Sequence, residues 1–279
     1  MTIEQLEIVD DVFLAIHADK LDLPVLPDMA LKIRNLINDP DSSVGQFVQL
    51  ISTDLTISLY VIKTANSAAF SRGRPVSNLH DAIPRLGYRM LFSMVLTITL
   101  TKLFQANSKL ISNKLKELWE HSQTIAACCY VLAQQHKKLK PDQALLAGLV
   151  HDIGALPLYL YADRHHSEIN EEMLDELISQ HSTVVGVKLL QSWNFPDEIV
   201  DVVSGNKDKK YFAPSGEADY VDVVAMADQI ATMSADTVTW ANVEAAEALG
   251  YYHEDCQNFI ANHAEEFASV NEMLGIAKV

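Results

Sequence analysis

A chain of 279 residues with 49% hydrophobic and 21% charged side chains is long enough to bury a sizeable core and to form one large or two modest domains. Its net charge of −16 is unevenly placed: residues 1–110 carry 10 basic and 11 acidic side chains, whereas residues 111–279 carry 11 and 26. Neither half has the basic footprint that phosphate-backbone binding requires, which argues against direct contact with nucleic acid. The three cysteines, Cys128, Cys129 and Cys256, form no disulfide framework and fit a reducing compartment. The acidic, amphipathic start lacks the charge pattern of a leader, and the most apolar window, 90–103, is short for a membrane span and carries Thr97, Thr99 and Thr101. A cytoplasmic setting with no membrane partner is the expectation.

Helical periodicity dominates and strand signals are nearly absent. Ile3, Leu6, Val9, Phe13 and Ile16 recur at three and four residues behind a Thr2 cap, predicting an amphipathic helix. Leu23-Pro-Val-Leu-Pro27 is a rigid break. Asp28 reads as the opening of a helix over 29–38, closed by Asp39-Pro40-Asp41, and Ser43 and Asp54 read as caps of helices over 44–52 and 55–69. After the loop Ser71-Arg-Gly-Arg-Pro75, Ser77 begins a helix that Gly87 ends, and an apolar helix covers 88–105. The polar stretch Gln105-Ala-Asn-Ser-Lys109 divides the chain, and a helix over 113–136 follows with Leu115, Leu118, His121, Ile125, Cys129 and Leu132 on its inner face. Pro141, at a first helical position, starts an apolar helix that runs into His151-Asp152 and stops on Gly154. Helices are predicted near 171–180, 182–193 and 197–204, the last led by Pro196, then a polar loop over 205–216 and a nearly all-apolar helix over 221–233 interrupted by Asp222 and Asp228. Two more helices, 241–249 and 254–274, close the chain with Gly250 as the cap between them. The fold class is all-α, with parts at 1–108, 109–240 and 241–279.

Four side chains on otherwise buried helices carry the chemistry: His121, His151, Asp152 and Asp228. Buried polar groups are costly unless paired, so His151-Asp152 needs partners from elsewhere in the chain. Imidazole nitrogens with carboxylate oxygens suit zinc, manganese or iron, and magnesium when more oxygens join. A hydrogen-bonded polar cluster without a metal is the plainer reading of the same residues.

His121, then His151-Asp152, then Asp228 resembles the H…HD…D signature of the HD superfamily of metal-dependent phosphohydrolases. His151-Asp-Ile-Gly154 is the most specific run, and Ala227-Asp-Gln-Ile-Ala231 is similar to that superfamily's closing motif. Leu23-Pro-Val-Leu-Pro27, Asn38-Asp-Pro40, Ile51-Ser-Thr-Asp54, Ala65-Asn-Ser-Ala68 and Ala82-Ile-Pro-Arg-Leu-Gly87 resemble HDOD proteins, the HD-related output domain of bacteria. Trp119-Glu-His-Ser122 and Trp193-Asn-Phe-Pro196 fit the same group, and the resemblance covers 21–235. It implies a multi-helical HD-domain-like bundle preceded by a packed N-terminal helical subdomain. It also implies a metal set of His121, His151, Asp152 and Asp228, with His181 placed for one extra ligand, around one divalent metal: manganese, iron, zinc, magnesium or nickel.

HDOD proteins resemble the hydrolases in fold but are regarded as signalling or regulatory modules without established catalysis. The leading expectation is a bacterial signal-transduction module that binds a signalling protein or a small ligand at the interface of its halves, with room for an oligomer. The alternative is a metal-dependent phosphohydrolase acting on a nucleotide or other phosphate ester, with Asp152 as its catalytic carboxylate. Hydrolysis of cyclic di-GMP is not expected. No Gly-Tyr-Pro motif occurs, Ser204-Gly-Asn206 stands where paired histidines would fall, and Ala155 replaces a lysine common after the His-Asp-Ile-Gly run. Of the remaining residues, His165-His166 reads as solvated and Trp119 and Trp193 as packing anchors. One of Cys128-Cys129 reads as core, Asn66 as a backbone-bonding residue, and Ser71-Arg-Gly-Arg-Pro75 as a turn with a docking role open to it.

Overall fold

The computed structural model describes residues 21–71, 73–165, 169–205, 211, 213, 216–232, 243–251 and 258–274, and among these residues every regular element is a helix. The helix predicted over 3–16, most of the loop over 205–216, His166 and Cys256 lie outside the described residues.

The N-terminal half is built from α1 (Asp28–Asn38), α2 (Val44–Ile51), α3 (Leu55–Ala65), α4 (Leu79–Leu86) and α5 (Tyr88–Leu100). Two predicted caps form as expected: Ser43 and Gln46 make a reciprocal capping box, and the Asp54 carboxylate accepts from the Ile57 N–H at 3.1 Å. Asp28 differs. Pro27 occupies the cap position, and Asp28 is the first helical residue, paired with Lys32 at 2.6 Å. Asn78, not Ser77, caps α4, accepting from the Asp81 N–H at 2.9 Å. The predicted helix over 55–69 stops at Ala65 because Asn66 turns its amide to the backbone. Its Nδ2 donates to Val76 O and its Oδ1 accepts from Val76 N, both at 2.8 Å. Gly87, at φ +83°, makes the break between α4 and α5 that a side chain would strain.

The second half holds α6 (Lys109–Gln134), α7 (Pro141–Val150), α8 (Ala155–His165), α9 (Glu171–Ser192), α10 (Asp197–Gly205) and α11 (Tyr220–Thr232). Ser108 caps α6 through the Ile111 N–H, so this helix starts earlier than predicted. α8 was not predicted; Pro157 sits in its first turn, where no backbone donor is needed, and Leu156, Leu158 and Ala162 are buried. The two helices predicted over 171–180 and 182–193 are one helix, because the buried series Leu174, Leu177, Val185 and Leu189 continues unbroken past Ser182. α9 ends in a Schellman motif: Asn194, at φ +51°, donates to Gln191 O, and Phe195 donates to Leu190 O at 3.0 Å. The tail contributes α12 (Val243–Ala248), α13 (Phe259–Asn262) and α14 (Ala264–Leu274), with Gly250 at φ +72° after α12.

One hydrophobic cluster runs from Leu26 through both halves to Leu274. α5 packs on α1 within its own half and on α7 in the other, while α14 lies against α5 and α6. The connector is pinned: the Asp163 carboxylate accepts from the Asn107 and Ser108 N–H groups, each at 2.8 Å. Trp193 Nε1 donates to Pro24 O at 2.8 Å, joining the end of α9 to the start of the described chain. Both Cys128 and Cys129 are core, because α7 and α11 cover α6 on both sides of its helical repeat; burial pushes the Cys128 thiol up to about 12 and Cys129 upward too. The segment Pro141–Arg164 is apolar and long enough to cross a membrane by composition, yet 83% of its most apolar window is buried inside the fold, as in a core helix.

Candidate metal centre

α6 and α7 approach so closely that a Cβ on Gly148 would stand 2.7 Å from Ala126 Cα. That approach brings His121, midway along α6, to the end of α7, where His151 is 2% exposed. The His151 Nδ1 lies 2.7 Å from Gly148 O. A carbonyl only accepts, so Nδ1 carries the proton and donates, and the Nε2 lone pair points away from α7. This fixing of tautomer by a backbone carbonyl is what metal-binding histidines require.

His151 Nε2 is 3.3 Å from His121 Nε2 and 3.3 Å from Asp152 Oδ2, and His121 Nε2 is 3.4 Å from Asp228 Oδ1 on α11. Ligand atoms of His121, His151 and Asp228 all lie within 4.8 Å of one another. Two ligands of a tetrahedral ion at about 2.1 Å from it stand about 3.4 Å apart, so the spacing fits a small divalent cation. The donor set of two imidazoles and a carboxylate suits the borderline first-row metals better than magnesium. The electrostatics agree. A neutral His151 would aim a lone pair at a carboxylate, which is tolerable only if a proton or a cation lies between them. Burial alone would push the imidazole down, but the Asp152 and Asp228 carboxylates and the Gly148 carbonyl outweigh it and hold His151 above its ordinary value. The exposure is graded, with His151 at 2%, Asp152 at 23%, His121 at 33% and Asp228 at 51%, giving a buried floor and an open rim.

The predicted residues therefore separate. His121, His151 and Asp228 form the mutually close set, and Asp152 flanks it through its contact with His151. His181, on α9, is outside that set and next to Ser182 and Thr183, which border the His151-Asp152 pair. The crevice bounded by His151, Asp152, Ser182, Thr183 and Val203 has an accessible volume of about 0 Å³. Gly154 lies against α9, where a Cβ would stand 2.5 Å from Gly186 N, so it is required for close packing; the helix itself ends earlier than predicted, at Val150, with His151 as its cap. Sequence reasoning missed Gly148, whose carbonyl sets the tautomer; the signal was its place three residues before His151 on the same helix face.

The family model of the HDOD domain matches residues 23–208. An uncharacterized protein of Treponema pallidum (strain Nichols) is 27% identical over 228 residues, which is 76% of this chain and 42% of the relative, so the chain spans less than half of that protein's length. Among solved structures, a protein of Shewanella amazonensis SB2B, provisionally named a metal-dependent phosphohydrolase, superposes with a TM-score of 0.79 at 26% identity, covering 98% of this chain and all of its own. An HDOD domain protein of unknown function from Geobacter sulfurreducens gives 0.68 at 22% identity over 97% of this chain and 98% of its own. A protein of Marinobacter aquaeolei VT8, provisionally named a signal transduction protein, gives 0.65 at 20% identity over 98% of this chain and 65% of its own. The last two likenesses establish the fold.

Proposed function

This chain belongs to the HDOD family, and from that premise we propose that it is a signal-transduction module that acts by binding rather than by turnover. One observation carries the reading. On its Ser182, Thr183 and Val203 side the His151-Asp152 pair is closed to a ligand, whereas a cavity of about 300 Å³ lies elsewhere, between the two halves. The cluster fits a metal, but no lysine follows Gly154 to hold a phosphate, and the half around it carries 11 basic against 26 acidic side chains. A divalent ion held by His121, His151 and Asp228 would supply local positive charge that fixes α6, α7 and α11 together.

The phosphohydrolase reading stays as the second, favoured by the open rim at His121 and Asp228 and by the likeness to the Shewanella amazonensis protein. In that case the metal would supply Lewis-acid polarisation of a phosphoryl oxygen, and Asp152 would orient the incoming water from its place beside His151. Protein purified without chelator, analysed for bound metal and assayed on phosphomonoesters and cyclic nucleotides with manganese, magnesium, cobalt and nickel, separates the two. The expected outcome is bound metal, lost in Asp228→Ala, with no turnover. Turnover that disappears in a folded Asp152→Ala variant would overturn the binding-module reading.

A further inference from the structure

We propose that the cavity between the halves is a binding site for a small zwitterion of the amino-acid class with an apolar side arm. The inference rests on the binding-module reading and assigns it a ligand. At about 300 Å³ the cavity matches the low end of small-molecule sites and is distinct from the metal cluster, sharing no residue with it.

Four helices each bring one charged side chain to its wall: Arg34 from α1, Arg89 from α5, Asp142 from α7 and Glu198 from α10. The cations come from the N-terminal half and the anions from the second half. Among the described residues none of the four makes an ion pair. Arg34 Nη1 is buried without a hydrogen-bond partner, and burial draws the guanidinium below its ordinary value. Arg34 also lines the cavity, where its guanidinium would meet an anionic oxygen in a charge-assisted hydrogen bond. Glu198 is held in place on the opposite wall: Gln143 Nε2 donates to it at 2.7 Å, and Gln143 Oε1 accepts from Tyr220 at 2.9 Å.

The charge pattern selects the ligand. A phosphate or a dicarboxylate would satisfy the arginines and meet two carboxylates of its own sign. An amine alone would do the reverse. A molecule bearing both signs a few bonds apart gives its carboxylate to Arg34 and Arg89 and its ammonium to Asp142 and Glu198. The rest of the wall is mixed: Asn38, Ser93, Gln143 and Asn194 are polar, while Phe92 and Phe195, tilted at a ring separation of 6.0 Å, offer an apolar part for an aliphatic or aromatic side arm.

Calorimetric titration of the full chain with L-leucine, L-isoleucine, L-methionine and L-phenylalanine tests the assignment. Phenylpropionate and phenethylamine serve as controls lacking the amine or the carboxylate, and inorganic phosphate and adenosine monophosphate as single-sign probes. The expected result is saturable binding of at least one amino acid, weakened about tenfold or more by loss of either charged group and by Arg34→Gln or Glu198→Gln. Either variant suffices if the other fails to fold, as read by circular dichroism. No binding by any of the four amino acids, equal binding by the truncated analogues, tighter binding of phosphate or the nucleotide, or full affinity in a folded variant overturns the proposal. Failure here with no phosphoester turnover leaves the binding-module reading intact. Turnover in the phosphoester assay overturns that reading without touching the affinities measured here.

Discussion

Asp222 shows how a single buried carboxylate sets a pH dependence. It is 3% exposed on α11 and accepts from the Asp219 N–H at 3.1 Å. Burial, with the Asp219 charge adding to it, raises Asp222 to about 6 against that hydrogen bond. The folded state therefore holds the proton more tightly than the unfolded chain, whose aspartates titrate near ~3.9. Stabilisation from this proton is complete below about pH 4 and is lost as pH rises through about 6. Asp222→Asn, which keeps the accepting oxygen and removes the charge, is expected to gain about 1–2 kcal/mol over the native chain at pH 7.5 and little at pH 4.5. Urea unfolding at the two pH values measures the difference, and an equal gain at both would refute the account. The closeness of His121, His151 and Asp228, three of the four residues singled out in the sequence, was legible at this scale because they are polar exceptions on apolar helices, and such exceptions need partners. The cavity was not. Nothing in the sequence singles out Arg34, Arg89, Asp142 and Glu198, and only the packing of four helices brings them to one space.

Between elements, the closest approach near the site is that of the turn after α7 to α9. A Cβ at Gly154 would meet the Ser182 carbonyl and stand 2.8 Å from Gly186 Cα, all backbone or near-backbone atoms that cannot swing aside. Gly154→Ala is therefore expected to cost about 3 kcal/mol or more, since α9 must slide away, taking Ser182 and Thr183 from His151. Gly45→Ala is the control: its Cβ would meet only Ser43 Oγ at 3.7 Å. A thermal melt that leaves Gly154→Ala within the range of that control would show that the turn has slack. The same contact explains why the element reading failed locally. The sequence suggested two helices, near 171–180 and 182–193, but the burial of Ser182 against Gly154 keeps α9 continuous. Caps and apolar periodicity placed most of the other helices, whereas α8 was hidden by Pro157, which is harmless in a first turn.

Across the whole molecule, the parts suggested by the sequence, 1–108, 109–240 and 241–279, share one core, and α5 is the element that joins them. Met90, Leu91, Met94 and Val95 are each no more than 3% exposed, although the helix packs on α1, α7 and α14 from three parts of the chain. Separating the halves would strip that helix on two sides, release the Asp163 grip on Asn107 and Ser108, and leave Trp193 Nε1 without Pro24. Such an arrangement unfolds as a unit, because no large apolar face survives the loss of its neighbour. The chain carries its own test. Trp119 packs on Phe104 and Trp193 bonds to Pro24, so their fluorescence reports the contact between the halves, while circular dichroism reports helices throughout. Urea unfolding followed by both probes is expected to give one coincident transition, and a fluorescence change preceding the dichroism change would show that the halves part before they melt. One helix also serves both sites. α7 carries Asp142 into the cavity near its start and His151 into the His121–His151–Asp228 cluster just past its end, nine residues later. At about 1.5 Å per residue Asp142 and His151 stand about 13–14 Å apart along this one stretch, so the two sites are separate places on a shared element.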